Sequence, residues 1–322
     1  LNSLGKKKAI ASANVHRSME STPTIQGIIQ KLLGGFYYVA VDQTIWCCRA
    51  RGLFRKEEIK PVVGDVVLFQ PDPLEPNKGY IVEVLPRQSQ LVRPSVANVN
   101  QAVIVFAVTK PKPNFNLLDK LLVFCEVSGV EPVLLFNKQD LDPTGELMAQ
   151  IKEIYSATGY RVLVTSTKVE GGSAVLEGLL KDRISVFAGP SGVGKSSLVN
   201  AIIPGLSLIT GEMSEKIDRG KHTTRHTELI ALPFGGFVLD TPGFTSLELS
   251  EIEGFELEDL KDLFPEFIPF QENCRFDDCK HINEPGCAVC EALSKGFIHE
   301  SRYDSYQLML QQLSANRRKK SW

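Results

Sequence analysis

The sequence predicts three domains: an N-terminal β-barrel of OB-like type, a central α/β phosphate-loop domain, and a small C-terminal zinc-binding α domain. Three observations carry that expectation. Short strand-like runs punctuated by turn residues fill residues 24–93. From about residue 94 the texture changes to continuous apolar runs, each ending in polar residues or glycine and followed by a helical stretch, as buried parallel strands do. Four of the seven cysteines then fall within residues 274–290. At 322 residues the chain also exceeds what one hydrophobic core usually serves.

Bulk composition narrows the classes. With 43% hydrophobic and 23% charged residues and a net charge of -2, the chain reads as globular. No apolar run reaches the ~18 residues of a membrane span, so no membrane partner is expected. Seven cysteines, clustered rather than spread, suit a reducing compartment with a local metal site better than a disulfide framework. Cys47, Cys48 and Cys125 lie in apolar runs and read as core residues.

The chain begins at Leu1 rather than Met, as a processed or truncated protein does. Residues 1–23 are Ser-rich and basic, with Lys6, Lys7, Lys8 and Arg17 against Glu20. That is the composition of an organellar transit remnant, which points to the chloroplast stroma; a basic arm on a bacterial cytoplasmic protein is the alternative. In the barrel, residues 24–93, strands are expected at 25–33, 36–41, 44–50, 65–70, 79–85 and 88–92, with tight turns at Gly34-Gly35 and Asp42-Gln43. Arg49, Arg51, Arg55, Lys56 and Lys60 cluster near its middle, as either a solvated face or a track for RNA.

The central domain, residues 94–262, is expected to carry buried strands at 102–108, 133–136, 162–164, 184–188 and 236–239. Gly189, Pro190, Ser191, Gly192, Val193, Gly194, Lys195 and Ser196 spell G-x-x-x-x-G-K-S between a strand and a helix that begins near Ser197. Such a loop curls its N–H groups round phosphates, places Lys195 on the β- and γ-phosphates and offers the Ser196 hydroxyl to Mg²⁺. Asp240-Thr241-Pro242-Gly243 fits D-x-x-G, with Asp240 holding Mg²⁺ and the Gly243 amide sensing the γ-phosphate.

Asn137-Lys138-Gln139-Asp140 is an N-K-x-D element. Guanine presents adjacent N1–H and N2–H₂ donors to a carboxylate and adenine does not, so Asp140 selects the base. Asn137 braces the loop and the Lys138 stem covers the base. Thr165, Ser166 and Thr167 stand either where backbone amides would meet the guanine carbonyl or at a helix N-cap. An ordinary GTP-binding domain places the phosphate loop first and the base reader last; here the order is inverted, so the domain is a circularly permuted GTPase domain.

Between phosphate loop and D-x-x-G lies Lys221-His222-Thr223-Thr224-Arg225-His226-Thr227, the place of a switch I loop. Thr223 and Thr224 both offer a hydroxyl to Mg²⁺; the expected ligand set is Ser196, Thr224 and Asp240. Phe244 stands after D-x-x-G where many GTPases carry a water-orienting Gln, so hydrolysis by the chain alone is expected to be slow. His222 is the candidate to position water once a partner orders the loop, with packing of the loop its other role. Lys195 and the Gly243 amide would stabilise charge on the transferred phosphoryl group.

Residues 263–322 form the zinc domain, with a terminal helix near 300–315 and a basic tail. Cys274, Cys279, His281 and Cys287 supply three thiolates and an imidazole, a soft tetrahedral set suited to zinc. Cys290 offers a Cys₄ alternative that omits His281. Four protein ligands leave no open position, so the role is structural.

The permuted order, Arg219-Gly220-Lys221-His222-Thr223-Thr224, Asp240-Thr-Pro-Gly-Phe244 and the Cys/His segment together resemble the RsgA (YjeQ) family of circularly permuted GTPases over about residues 24–315. The family's G-R-H-T-T-T loop is altered here by Lys221 and Arg225, which leaves His222 and both threonines in place. The resemblance implies an OB barrel, Cys₃His zinc ligation with Cys290 spare, Mg²⁺ with GTP, and GTP hydrolysis stimulated by the small ribosomal subunit through rRNA binding, in late subunit assembly. It suits a monomer. Two other classes stand beside it: a nucleotide-gated RNA-binding scaffold with incidental hydrolysis, and a phosphate-loop small-molecule kinase, which has no need of N-K-x-D. In the GTPase reading, a γ-phosphate-dependent shift at Gly243 would tilt the zinc domain against RNA.

Overall fold

In a computed structural model of the chain, residues 23–50, 60–91, 95–169, 171–172, 174–203, 206, 227–240 and 255–320 are described, residues 240 and 316–320 by their backbone. The basic segment 1–22, Arg51, Arg55, Lys56, His222, Thr223, Thr224, Gly243 and Cys/His-free residues 241–254 lie outside them.

Five strands close the N-terminal barrel: β1 (Ile25–Leu33), β2 (Phe36–Val41), β3 (Thr44–Ala50), β4 (Val66–Pro71) and β5 (Lys78–Val84). They run in the order β1-β2-β3-β5-β4, and a β1–β4 pairing shuts the ring. Only β3 and β5 pair parallel. Alternate residues point inward, so Ile29, Val39, Cys48, Val67, Phe69 and Ile81 make the core, with Trp46 tilted against Phe69 at 5.1 Å. Burial pushes the Cys48 thiol up to about 12, as a core cysteine requires. The expected sixth strand at 88–92 is not part of the barrel. It is reduced to β6 (Gln90–Leu91), paired with β7 (Val96–Ala97). The Gln88 amide and the Ser89 hydroxyl are drawn instead to Asn98 Oδ1 and the Val99 carbonyl, at 2.9 and 2.7 Å.

The central domain is a doubly covered sheet. In chain order it contains β8 (Gln101–Ala107), α1 (Phe115–Ser128), β9 (Glu131–Asn137), α2 (Glu146–Ile154), β10 (Arg161–Val164), α3 (Ala174–Leu180), β11 (Ile184–Ala188), α4 (Lys195–Ile202), β12 (Glu228–Ala231) and β13 (Phe237–Asp240). The strand order is β10-β9-β8-β11-β13-β12, parallel except for β12. Every residue of β8 is buried, because Ile104 and Phe106 face a core with Leu118 and Leu122 of α1, while Val103 and Val105 face one with Leu198 and Val199 of α4. Asn114 caps α1 by accepting from Leu117 N, and Gly129 ends it in the left-handed conformation. The strand β12 was not expected from sequence: four residues beside a long polar stretch give no periodic signal. It pairs with β1 through Lys31 and Glu228, so barrel and central sheet form one eleven-stranded sheet.

The C-terminal part holds a 3₁₀ segment (Leu257–Leu263), then α5 (Ile268–Gln271), α6 (Ala288–Ser294) and α7 (Glu300–Lys320). Phe264, Phe267, Tyr303, Tyr306 and Met309 pack as its core, and Val123 of α1 belongs to the same cluster. Among the described residues no helix is long and apolar enough to cross a membrane.

Candidate functional site

The permuted motifs meet at one edge of the sheet. The phosphate loop leaves β11, Asn137 ends β9, Thr165 follows β10 and Asp240 ends β13, all at the carboxyl ends of parallel strands. That is where doubly wound sheets bind ligands.

Two glycines of the loop are required by their surroundings. A Cβ on Gly189 (φ +132) would lie 2.0 Å from the Val105 carbonyl oxygen, and one on Gly194 (φ +99) would lie 2.4 Å from Asn137 Nδ2. Asn137 is itself buried and donates from Nδ2 to the Val193 carbonyl at 2.9 Å. Its Oδ1 accepts the Lys138 amide at 2.8 Å. Lys138, at φ 63, donates from Nζ to the carbonyls of Gly192 and Lys110, at 2.7 and 2.8 Å. The N-K-x-D element and the G-x-x-x-x-G-K-S loop are thereby tied together, although they are far apart in sequence.

Lys195 and Ser196 open α4 and are both buried. Lys195 Nζ donates to the carbonyls of Gly189 and Pro190, both at 2.7 Å, and burial pushes its ammonium down to about 8. Asp140 accepts the Ser166 hydroxyl at 2.6 Å, and that bond holds its carboxyl below the ordinary carboxylate range. Thr165 Oγ1 donates to the Gly172 carbonyl at 2.6 Å, and the Thr165 carbonyl accepts Gln139 N at 3.2 Å. Residues 165–167 are not the N-cap of α3, which starts at Ala174. Sequence reasoning missed Lys168, whose Nζ stands 3.7 Å from Asp140 Oδ2. A cation directly after Thr165-Ser166-Thr167 was the available signal.

The second centre lies in the C-terminal part. The ligand atoms of Cys274, Cys279, His281 and Cys287 all lie within 4.8 Å of one another. Cys274 and Cys287 Sγ are 4.0 Å apart, and His281 Nδ1 is 3.5 and 3.4 Å from them. A tetrahedral ion with metal–sulfur bonds of ~2.3 Å separates its ligands by about 3.8 Å, so the cluster fits zinc. Cys290 is not in the group. Its Sγ faces the Ile282 carbonyl and Tyr303 OH at 3.6 Å, and its amide donates to Cys287 Sγ at 3.4 Å.

The knuckle is braced from several directions. Although burial works to raise it, the amides of Lys280, Ile282 and Asn283 draw the Glu284 carboxyl down to about 2. From α7, Tyr303 OH donates to the His281 carbonyl at 2.6 Å and Tyr306 OH to the Lys280 carbonyl at 2.7 Å. His281 takes a left-handed φ of 57 to bring its ring inward. Burial holds its imidazole below the ordinary pKa, which favours the neutral, metal-ligating form.

Comparison with known proteins agrees with this geometry. Residues 84–250 match the family model described as RsgA GTPase, and residues 26–81 match that of the RsgA N-terminal domain. A protein of Caldanaerobacter subterraneus named small ribosomal subunit biogenesis GTPase RsgA is 50% identical over 296 residues, covering 92% of this chain and 98% of the relative. The Enterococcus faecalis protein of that name is 46% identical, covering 91% and 97%. Two crystal structures share the fold. YloQ, described as a circularly permuted GTPase, has a TM-score of 0.77 at 37% identity, covering 93% of this chain and 98% of its own. YjeQ from Thermotoga maritima has a TM-score of 0.78 at 39% identity, covering 90% and 99%. These curated relatives are bacterial, and nothing in the comparisons supports the chloroplast expectation.

Proposed function

The chain belongs to the RsgA GTPase family, with GTP hydrolysis as its activity, and on that premise we propose that it is a GTPase stimulated by the small ribosomal subunit during late subunit maturation in a bacterial cytoplasm. The observation that carries the reading is the convergence of the permuted motifs at one sheet edge, with Asp140 preset by Ser166 to receive a base with two adjacent donors. The names of the relatives supply the subunit as partner.

In this reading Asn137, Lys138, Asp140 and residues 165–167 hold the guanine, joined by Lys168. Residues 189–197 hold the phosphates. Ser196, Thr224 or Thr223, and Asp240 would hold Mg²⁺, which would supply neutralisation of phosphate charge. Lys195 exchanges two carbonyl acceptors for phosphate oxygens, so its ammonium is held where negative charge builds up. His222 orients the attacking water when a partner orders its loop, since Phe244 has no group for that task. Zinc held by Cys274, Cys279, His281 and Cys287 keeps the C-terminal knuckle folded, and the protein acts as a monomer.

The barrel's outer face supports an RNA contact. Arg49 stacks over Phe36 at 4.8 Å, and its register partner on β5 is Tyr80, which is 39% exposed. Aromatic and cationic groups side by side on an OB barrel suit single-stranded RNA. Lys60, the other described member of the basic cluster, is exposed.

Turnover measured with and without small subunits tests the function, together with co-sedimentation at two salt concentrations. Stimulation is expected, and His222→Ala is expected to lose it while retaining GDP binding. Binding to subunits without any rise in rate would instead favour a nucleotide-gated scaffold.

A further inference from the structure

The barrel and the nucleotide site share a strand ladder. Lys31 of β1 is the register partner of Glu228 on β12, and Glu228 is the register partner of Asp240 on β13. One residue thus separates the barrel from the aspartate that opens D-x-x-G. The β12–β13 pair also joins the two candidate switch segments in sequence, with the switch I region before Glu228 and D-x-x-G beginning at Asp240.

The junction has features beyond simple adjacency. The β1–β2 register shifts between Ile29 and Lys31, a bulge that leaves Gln30 as the extra residue. The Gln30 side chain reaches the Leu229 carbonyl at 2.6 Å, and Lys31 Nζ meets Glu228 Oε2 at 2.7 Å. At its far end the β12–β13 hairpin is clamped. Phe237 N donates to the Arg183 carbonyl at 2.8 Å, and a Cβ on Gly236 would lie 2.6 Å from that same oxygen. The hairpin is therefore fixed at its turn, and β1 grips the opposite end, where both switch segments emerge. Two residues beyond Lys31, β1 enters the Gly34-Gly35 turn beside the exposed Leu33. In OB barrels the loop between the first two strands is one of those that contact oligonucleotides.

We propose that β1, gripping β12 through Gln30 and Lys31, is the relay by which an RNA contact on the barrel's first hairpin sets the geometry of the switch segments and raises hydrolysis. The relay deepens the proposed function and rests on it. It needs a two-state element at the site, and D-x-x-G segments that order around the γ-phosphate are such elements. Where that geometry also sets nucleotide affinity, nucleotide state changes the barrel's hold on RNA by the same factor.

Charge reversal tests the relay. Lys31→Glu and Glu228→Lys each oppose like charges across the junction, and the double swap restores an opposite pair. Both side chains are partly exposed, so the variants are expected to fold with intrinsic turnover and subunit binding intact. Each single variant is expected to lose subunit stimulation by about tenfold, and the double swap to regain it. Full stimulation in both single variants overturns the relay and leaves the GTPase reading standing. Absence of stimulation in the unsubstituted protein overturns that reading instead. Hydrogen exchange of the residue 30–33 amides, with GDP against a non-hydrolysable GTP analogue and no subunits present, then decides the relay independently. A nucleotide-dependent difference that the Lys31→Glu variant lacks supports it, and identical exchange overturns it.

Discussion

Lys195 keeps its ammonium against two backbone carbonyls in a buried site, and burial holds its pKa at about 8 in the free protein. Phosphate oxygens favour the charged form, so nucleotide binding raises that pKa. Below pH 8 the lysine is charged in both states and contributes no pH dependence. Above it, binding takes up a proton and affinity falls, by about tenfold between pH 7 and pH 9. Calorimetric titration of GDP in buffers of different ionisation enthalpy checks this; a flat affinity with no proton uptake contradicts it. Asp140 makes a second residue-scale case. Asp140→Asn replaces an acceptor with an amide, so the protein is expected to lose guanine nucleotides and gain xanthine nucleotides, measured by competition binding. Both residues were legible in the sequence because each belongs to a contiguous motif whose chemistry lies in its own loop. Lys168 was not, because its meaning comes from Asp140 in the turn after β9, well before it in the chain.

Elements were legible where burial imposes a period. The first three barrel strands and β11 coincide with the expected spans, since the turns at Gly34-Gly35 and Asp42-Gln43 bracket the first three and β11 is a buried run that ends at Gly189. The strand β12 escaped because its partners, β13 and β1, supply the hydrogen bonds that make it a strand. The metal knuckle was legible as a ligand set but left His281 and Cys290 as alternatives. The structure brings His281 into the cluster and makes Cys287 the N-cap of α6, accepting from Cys290 N. A capping thiol that also held a metal would couple helix and ion. Cys290→Ser is therefore expected to retain one zinc per chain, while Cys274→Ser and His281→Ala lose it, read by atomic absorption. Zinc bound equally by Cys290→Ser and His281→Ala would contradict this assignment. Chelation is expected to melt the knuckle and α6 without releasing GDP, since the nucleotide site lies on other elements.

At the scale of the molecule, the C-terminal part with the Cys/His cluster is joined to the central domain by more than its connector. Arg302 of α7 is fully buried and donates to Asp119 Oδ1 of α1 at 2.6 Å and to Glu266 Oε1 at 2.7 Å. Tyr155, which caps α2, donates to the same Asp119 oxygen at 2.9 Å, and Phe264 lies under the guanidinium at 4.7 Å. Burial pushes the Asp119 carboxyl up and the Arg302 charge opposes it, so the group depends on its partner. No local pattern announces this network, because its members come from α1, α2, α7 and the turn before α5. Its location constrains how a switch could act. A shift at Gly243 that tilts the zinc part must carry α1 with it or break a buried pair, and leaving such a charge unpartnered costs ~3–5 kcal/mol. The distance between α1 and α7, measured between paired spin labels, is therefore expected to stay the same with GDP and with a non-hydrolysable GTP analogue. Arg302→Ala is expected to broaden that distance in both states and to lower unfolding stability by about 3–5 kcal/mol, with zinc still bound. A nucleotide-dependent change of distance in the unsubstituted protein would instead place the hinge between α1 and α7.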